Sequence, residues 1–294
     1  MKELLLVISI LFVVKVGLAQ KNSLWSADKY NESSVLYNKV KLSGLISNDE
    51  SYYVEYRPFK ANGVGVVICP GGGYAKVAID LEGTKVAELL TKQGYTVWVL
   101  KYRLPYGRSH VPLSDVQQAL RLMRVKASVL GIDADKIGVM GFSAGGHLAS
   151  TASTHFDDPV FDGDPQTAQV SCRPAFSILI YPVISMEESI THRGSRKNLL
   201  GLHPTDVQIK AFSNDLSIGE DTPPTFILHA DDDRVVSSLN SIAYYRRLKV
   251  VGISSEMHIF PKGGHGFGTK QRGLSVDHWM DLLVRWLDDH VSDR

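Results

Sequence analysis

The chain has 294 residues, 44% of them apolar and 21% charged, a composition that is ordinary for a globular protein and excludes intrinsic disorder. A chain of this length buries a large core without disulfide or metal staples. Lysine and arginine total 32 against 31 acidic residues, so the net charge is +1, and there is no basic stripe for nucleic acid and no acidic tail.

The first 19 residues differ from the rest of the chain. Lys2 precedes the apolar run 4–14, and Lys15 then precedes the small residues Gly17 and Ala19. This pattern predicts a signal peptide that is cleaved after Ala19, which implies a secreted or periplasmic protein with no membrane attachment after cleavage. A membrane anchor or a buried helix is the alternative, but the run is shorter than the roughly 20 residues that span a bilayer.

Residues 20–63 are rich in tyrosine and contain alternating patterns such as Tyr52–Arg57, which predict an antiparallel edge hairpin. Short runs of Val, Ile and Leu then predict buried parallel strands at 64–69, 96–101, 137–140, 177–181, 225–228 and 256–260. Apolar residues near helical spacing predict helices between them, at 82–92, 115–130, 238–250 and 276–290.

Alternating strands and helices predict βαβ units and a doubly wound, mostly parallel α/β fold, and the absence of a linker favours a single domain over residues 20–294. Ligands of such sheets bind beyond the carboxyl ends of the strands. The segment 183–223 is long for a connection, so we expect it to be functional or to form a helical cap over the site.

One serine follows a predicted strand in a distinctive turn. The stretch Gly141–Gly145 reads G-x-S-x-G around Ser143, and a helix of small residues is predicted over 146–153. A strand, this pattern and a helix are the context of a nucleophile elbow, in which a sharp turn raises the serine hydroxyl. His147 lies one turn further along that helix, where a packed or capping role is the better interpretation.

Serine needs a base, and the base needs an orienting carboxylate. His265 lies among glycines just after the last predicted strand, which places it on a loop at the same edge of the sheet. Three aspartates, 231–233, follow the strand 225–228, and residue pattern alone does not choose between an orienting role and a solvated acidic turn.

The oxyanion of acyl transfer needs two N–H donors. Ala144 follows the serine, and the loop 69–74 carries the three glycines 71–73, whose bare amides are suited to face a ligand. A phosphate-binding loop or a plain tight turn are the alternatives for these glycines, but no phosphate-binding pattern follows them. Tyr74 is a candidate for the wall of a substrate pocket.

Two cysteines remain to be placed. Cys69 ends an apolar run and is expected to be a buried thiol, and its separation from Cys172 neither predicts nor excludes a disulfide. Neither cysteine has the spacing of a metal site, and we expect no metal and no cofactor.

The chain resembles the α/β-hydrolase superfamily, and more narrowly the secreted bacterial acetyl xylan esterase-like, bifunctional feruloyl/acetyl esterase group, which is related to the hormone-sensitive-lipase-like esterases. The stretches that carry the resemblance are 70–74, 101–105, 141–149, 229–233 and 263–267. It implies Ser143 as nucleophile, His265 as base and Asp233 as orienting carboxylate, with oxyanion amides at Gly72, Gly73 and Ala144. Pro70 stands where the lipase-like relatives carry histidine, and Ser237 where a proline is common.

We therefore expect a serine carboxylic-ester hydrolase that removes acetyl or other short acyl groups from a small ester or an acylated oligosaccharide or polysaccharide such as xylan. This substrate follows from the resemblance and from the predicted export. An amidase or peptidase on the same fold, and a non-catalytic binding protein on a hydrolase scaffold, are the alternatives. No nucleic-acid partner is expected, and the oligomeric state is not predicted.

Overall fold

A computed structural model describes residues 20–23, 51–158 and 165–291. They contain one eight-stranded sheet in the order β1-β2-β4-β3-β5-β6-β7-β8. Its strands are β1 (Gln20–Ser23), β2 (Tyr52–Tyr56), β3 (Gly63–Cys69), β4 (Thr96–Lys101), β5 (Ile132–Phe142), β6 (Ser177–Ile180), β7 (Thr225–Ala230) and β8 (Ser255–Phe260). The predicted signal peptide and residues 24–50 of the predicted hairpin segment lie outside the described residues.

The strands from β3 to β8 are parallel, and β2 pairs antiparallel with both β1 and β4. The predicted parallel sheet with an antiparallel N-terminal edge is confirmed. Central strands such as β6 and β7 are buried at every residue, which explains their continuous apolar runs.

Helices cover both faces of the sheet. They are α1 (Lys85–Lys92), α2 (His110–Val125), α3 (Ala127–Leu130), α4 (Ala144–Thr154), α5 (Pro165–Ala168), α6 (Arg193–Leu200), α7 (Asp206–Ala211), α8 (Leu239–Val251) and α9 (Trp279–His290). A π-helical turn at Asp80–Thr84 leads into α1, and a 3₁₀ turn at Ser275–His278 leads into α9. No helix in the described part of the chain has the length and apolar character needed to cross a membrane.

Two apolar cores lie on opposite faces of the sheet. Val116, Leu148 and Tyr244 bring α2, α4 and α8 into one core. Leu90 and Leu283 bring α1 and α9 into the other. Successive side chains along a parallel strand alternate between the two cores, so both faces of the sheet are packed.

The segment between β6 and β7 rises from that edge. It carries the short helices α6 and α7, whose N-termini are capped by His192 and Thr205. That the segment 183–223 is functional or forms a cap over the site stays a prediction.

Candidate active site

Most of the predicted site residues lie at the carboxyl edge of the sheet. Ser143 follows β5, Asp233 follows β7 and His265 follows β8. Because neighbouring parallel strands end at the same edge, residues that are 122 positions apart come into hydrogen-bond contact.

Ser143 occupies the sharp turn that its sequence context predicts. Its φ is 53° and its ψ is −120°, in a region that non-glycine residues rarely adopt. The flanking glycines are required by space: a Cβ on Gly141 would overlap the carbonyl of Gly145, and one on Gly145 would overlap the carbonyl oxygens of Cys69 and Pro70. The turn therefore packs directly against β3 and presents the hydroxyl at the start of α4.

Three side chains form one hydrogen-bonded line. Ser143 Oγ lies 2.9 Å from His265 Nε2, and His265 Nδ1 lies 2.6 Å from Asp233 Oδ2. With Nδ1–H donating to the carboxylate, Nε2 is left to accept the serine proton. The geometry therefore provides what serine activation requires, a hydroxyl, a base and an orienting carboxylate.

Asp233 is held in its ionised form. Burial of the carboxyl group opposes ionisation, but hydrogen bonds from His229, His265 and the Val236 amide outweigh it and keep the pKa of Asp233 well below its usual range. Asp233 Oδ1 accepts from the amides of Val235 and Val236, both at 2.9 Å. These bonds fix the carboxylate that faces the imidazole.

The neighbouring Asp232 has a different place. Its Oδ1 accepts from the amides of Gly263 and Gly264, at 2.9 and 2.7 Å, and so fastens the loop that carries His265. Asp232 therefore holds a loop and is not simply part of a solvated acidic turn, which was one of the two interpretations of these aspartates. The aspartate that contacts the imidazole is Asp233.

The glycine loop after β3 lies beside Ser143. Gly72 and Gly73 have φ values of 125° and 66°, and both line the same pocket as Ser143 and His265. Ala144 is the first residue of α4, where the backbone N–H has no partner within the helix. The three predicted oxyanion residues thus lie on the two segments that meet at the serine.

Tyr74 is not in the pocket wall, which corrects the prediction. Its side chain is 1% exposed, and its hydroxyl donates to Nδ1 of His147 at 2.9 Å. His147 Nε2–H donates to the carbonyl of Phe212 at 2.8 Å, and burial lowers the pKa of His147 to about 4. The packed role expected for His147 is confirmed, and Tyr74 shares it.

A pocket of about 400 Å³ opens above Ser143 and His265. The segment between β6 and β7 contributes His192, Gly194 and Asn198 to its lining. Asn198 Nδ2 also donates to the carbonyl of Gly73 at 2.8 Å, which links this segment to the glycine loop. A volume at the lower end of the range for ligand sites suits a small group.

Two polar residues at the site were not found from the sequence. Glu82 is buried in the pocket floor, and His229, treated only as a landmark before the aspartates, lies 3.3 Å from Asp233 Oδ2. Glu82 carries no sequence signal, because it begins an amphipathic helical segment where an acidic residue is ordinary. Cys69 and Cys172 are buried free thiols, as expected for Cys69.

Comparisons with known proteins give concordant matches. The family model BD-FAE matches residues 56–248. An acetylxylan esterase from Xylanibacter ruminicola is 37% identical over 83% of this chain and 49% of its own length. Endo-1,4-beta-xylanase B from Butyrivibrio fibrisolvens is 33% identical over 84% of this chain and 37% of its own length. The chain thus spans half or less of these two relatives.

One solved structure aligns with this chain over nearly the whole length of both proteins. The acetyl ester-xyloside bifunctional hydrolase from Caldicellulosiruptor lactoaceticus is 36% identical, with a TM-score of 0.82 over 94% of this chain and 98% of that one. A carboxylesterase from Lactobacillus plantarum, 20% identical with a TM-score of 0.68, shares the fold.

Proposed function

Because the chain belongs to the BD-FAE family of α/β-hydrolase esterases, we propose that it is a carboxylic-ester hydrolase that removes acetyl or other short acyl groups from a carbohydrate such as xylan. The observation that carries the proposal is the hydrogen-bonded line from Ser143 through His265 to Asp233 at the base of a pocket. The rest of the site supports the same chemistry.

Acylation begins at Ser143. Its Oγ attacks the ester carbonyl carbon while its proton passes to His265 Nε2. The imidazolium then protonates the departing alcohol oxygen as the carbonyl carbon–oxygen bond breaks, which leaves the acyl group on Ser143. Asp233 stays ionised throughout, because its folded environment favours the carboxylate.

Deacylation repeats these steps with water. His265 Nε2 takes a proton from water as its oxygen attacks the acyl carbon, and returns that proton to Ser143 Oγ as the acid leaves. In both tetrahedral intermediates the oxyanion faces the loop of Gly72 and Gly73 and the amide of Ala144. Donors placed there are worth about 3 kcal/mol each in transition-state stabilisation.

The substrate is proposed from pocket size and from the relatives. A site of about 400 Å³ accommodates a short acyl group and leaves a bulky alcohol outside. Relatives with the printed names acetylxylan esterase and acetyl ester-xyloside bifunctional hydrolase suggest that this alcohol is a xylan-derived sugar. Export, as the predicted signal peptide implies, would bring the enzyme into contact with such a polymer. The intact mass of the exported chain would show whether the chain is cleaved after Ala19.

Acetate release tests the function. Purified protein should release acetate from acetylated xylan and from p-nitrophenyl acetate, and Ser143→Ala should lower kcat by about 10³-fold or more. Wild-type activity in Ser143→Ala would reject the nucleophile.

The same assay separates the alternatives. Faster hydrolysis of acylated amides or peptides than of esters would favour the amidase or peptidase, and binding of acetylated xylan without any acetate release would favour a non-catalytic protein.

A further inference from the structure

A second buried carboxylate lies at the pocket floor. Glu82 is 5% exposed and belongs to the π-helical turn Asp80–Thr84 that precedes α1. Single π turns inside helices are frequent at functional sites. Its carboxylate shares the pocket with Ser143 and His265 but takes no part in the line described above.

One oxygen of this carboxylate holds the glycine loop. Glu82 Oε2 accepts from the amide of Gly71 at 2.7 Å, in a buried hydrogen bond. Gly71 has no room for a side chain, because a Cβ would lie 2.5 Å from Glu82 Oε2 and 2.9 Å from Ser143 Cβ. Glu82 therefore fixes the residue that immediately precedes Gly72 and Gly73, against the serine itself.

The other oxygen holds the residue beneath the imidazole. Tyr181 donates its hydroxyl to Glu82 Oε1 at 3.0 Å. The Tyr181 ring packs edge-on against the ring of His265, with centroids 5.0 Å apart. Tyr181 has a φ of 38°, a strained value that surrounding structure must hold in place. The same carboxylate thus contacts the glycine loop directly and the imidazole of His265 through Tyr181.

Glu82 also places charge near the reacting groups. Burial raises the pKa of Glu82, and hydrogen bonds from the Gly71 amide and the Tyr181 hydroxyl, with the electrostatic influence of His265 and Lys270, oppose that rise. Both oxygens accept hydrogen bonds, which is the pattern of an ionised carboxylate. Among the described residues, the ionisable groups that interact with Glu82 or His265 include Tyr102, Tyr181, His192, Asp233 and Lys270.

We infer that Glu82 is a positioning residue of the hydrolytic site. It holds the glycine loop through the amide of Gly71, and its negative charge favours the imidazolium of His265. This inference rests on the proposed function, since acyl transfer is the reaction in which the imidazolium of His265 forms as an intermediate state. It predicts that loss of the charge impairs the chemical step rather than substrate binding.

Glu82→Gln tests the inference, because an amide retains the shape and an acceptor for Gly71 while it removes the charge. We expect kcat for p-nitrophenyl acetate to fall by about tenfold with KM within about twofold. The acid limb of the kcat/KM profile should move to lower pH by about half a unit, since the charge that favours the protonated base is lost. A merely structural role would not move this limb.

Glu88→Gln is the matched control. Glu88 lies exposed on α1, so the variant loses the same charge from the same helical segment and should keep the wild-type profile. Wild-type kcat and acid limb in folded Glu82→Gln would overturn the inference.

Tyr181→Phe provides the second variant if Glu82→Gln does not fold. It removes one donor from the carboxylate and keeps the ring against His265, so kcat should fall by severalfold, and wild-type kcat would overturn the inference. An inactive wild-type protein would reject the proposed ester hydrolysis itself, whereas an active wild type with indifferent variants would reject only the role of Glu82.

Discussion

Gly145 has no side chain, and this absence allows the nucleophile turn to pack directly against the end of β3. The start of α4 lies so close to the end of β3 that a Cβ at this position would overlap two backbone carbonyl oxygens. Backbone cannot rotate away as a side chain can, so the strand and the helix would have to separate.

Gly145→Ala should therefore destabilise the fold by about 3 kcal/mol through overpacking, and reduce ester hydrolysis with it. Urea unfolding measures the first effect. Gly219→Ala is the control, because a Cβ at Gly219 meets no atom within 4 Å and should change stability by less than about 0.5 kcal/mol. Equal stability of the two variants would contradict this account of the turn.

Two adjacent aspartates have separable roles. Asp233 contacts the imidazole, whereas Asp232 accepts hydrogen bonds from the backbone of the loop that carries His265. Asp233→Asn should lower kcat by about 10³-fold or more, because the imidazole loses the carboxylate that orients it.

Asp232→Asn should lower kcat by about tenfold or less, since the amide oxygen of the new side chain still accepts hydrogen bonds from the loop that carries His265. Steady-state kinetics of both variants on one ester decides the matter, and a larger loss in Asp232→Asn would reverse the assignment.

Residue types and their order predicted Ser143 and His265, because each follows a recognisable strand. The choice of Asp233 among three adjacent aspartates came from the family resemblance, since residue pattern alone does not separate them. The prediction for Tyr74 was wrong because the sequence around it does not show that its side chain is buried. The backbone at Tyr74 has a positive φ of 58°, and this conformation also leaves no pattern in the sequence. Glu82 was missed because its partners, Gly71 and Tyr181, are 11 and 99 residues away. Contacts between distant segments leave no local pattern.

At the scale of elements, His147 joins three parts of the molecule. Its imidazole lies on α4, accepts from Tyr74 of the glycine loop and donates to Phe212 at the end of α7. The ring is 1% exposed and neutral in the fold.

This histidine makes stability depend on pH. The folded pKa of about 4 is below the ordinary value near 6.5, so between these limits the unfolded chain binds the extra proton. Stability should therefore fall by about 3 kcal/mol as pH decreases from about 6.5 to about 4, and change little from this source above or below that window.

His147→Gln offers an amide with a donor and an acceptor but no titration. Urea unfolding of both proteins at pH 7.0 and pH 4.5 should give a smaller pH dependence for the variant. Identical dependence in the two proteins would refute the contribution of His147.

Element existence was easier to predict than element bounds. The strand at Thr96–Lys101 matches its prediction, whereas α2 begins at His110 instead of 115, because Pro112 is tolerated in a first helical turn. β5 begins at Ile132, five residues early, since its first half is partly exposed and lacks a continuous apolar run. The bounds of helices α6 and α7, within the segment expected to be functional or a helical cap, escaped prediction because both helices are short and α6 is mostly polar.

For the whole molecule, the parallel sheet explains why function concentrates at one edge. Strands β3, β5, β7 and β8 end side by side or one strand apart, and each delivers one part of the proposed machinery. The near-neutral net charge of +1 gives no long-range attraction to a charged polymer.

The proposed hydrolysis depends on Ser143 as the nucleophile at this edge of the sheet. A p-nitrophenyl alkylphosphonate mimics the tetrahedral intermediate and bonds covalently to an activated serine. Intact mass and peptide mapping should show one adduct, on Ser143, that is absent from Ser143→Ala and slow to form in Asp233→Asn. An adduct on another residue, or undiminished ester hydrolysis by a protein that resists labelling, would contradict the account.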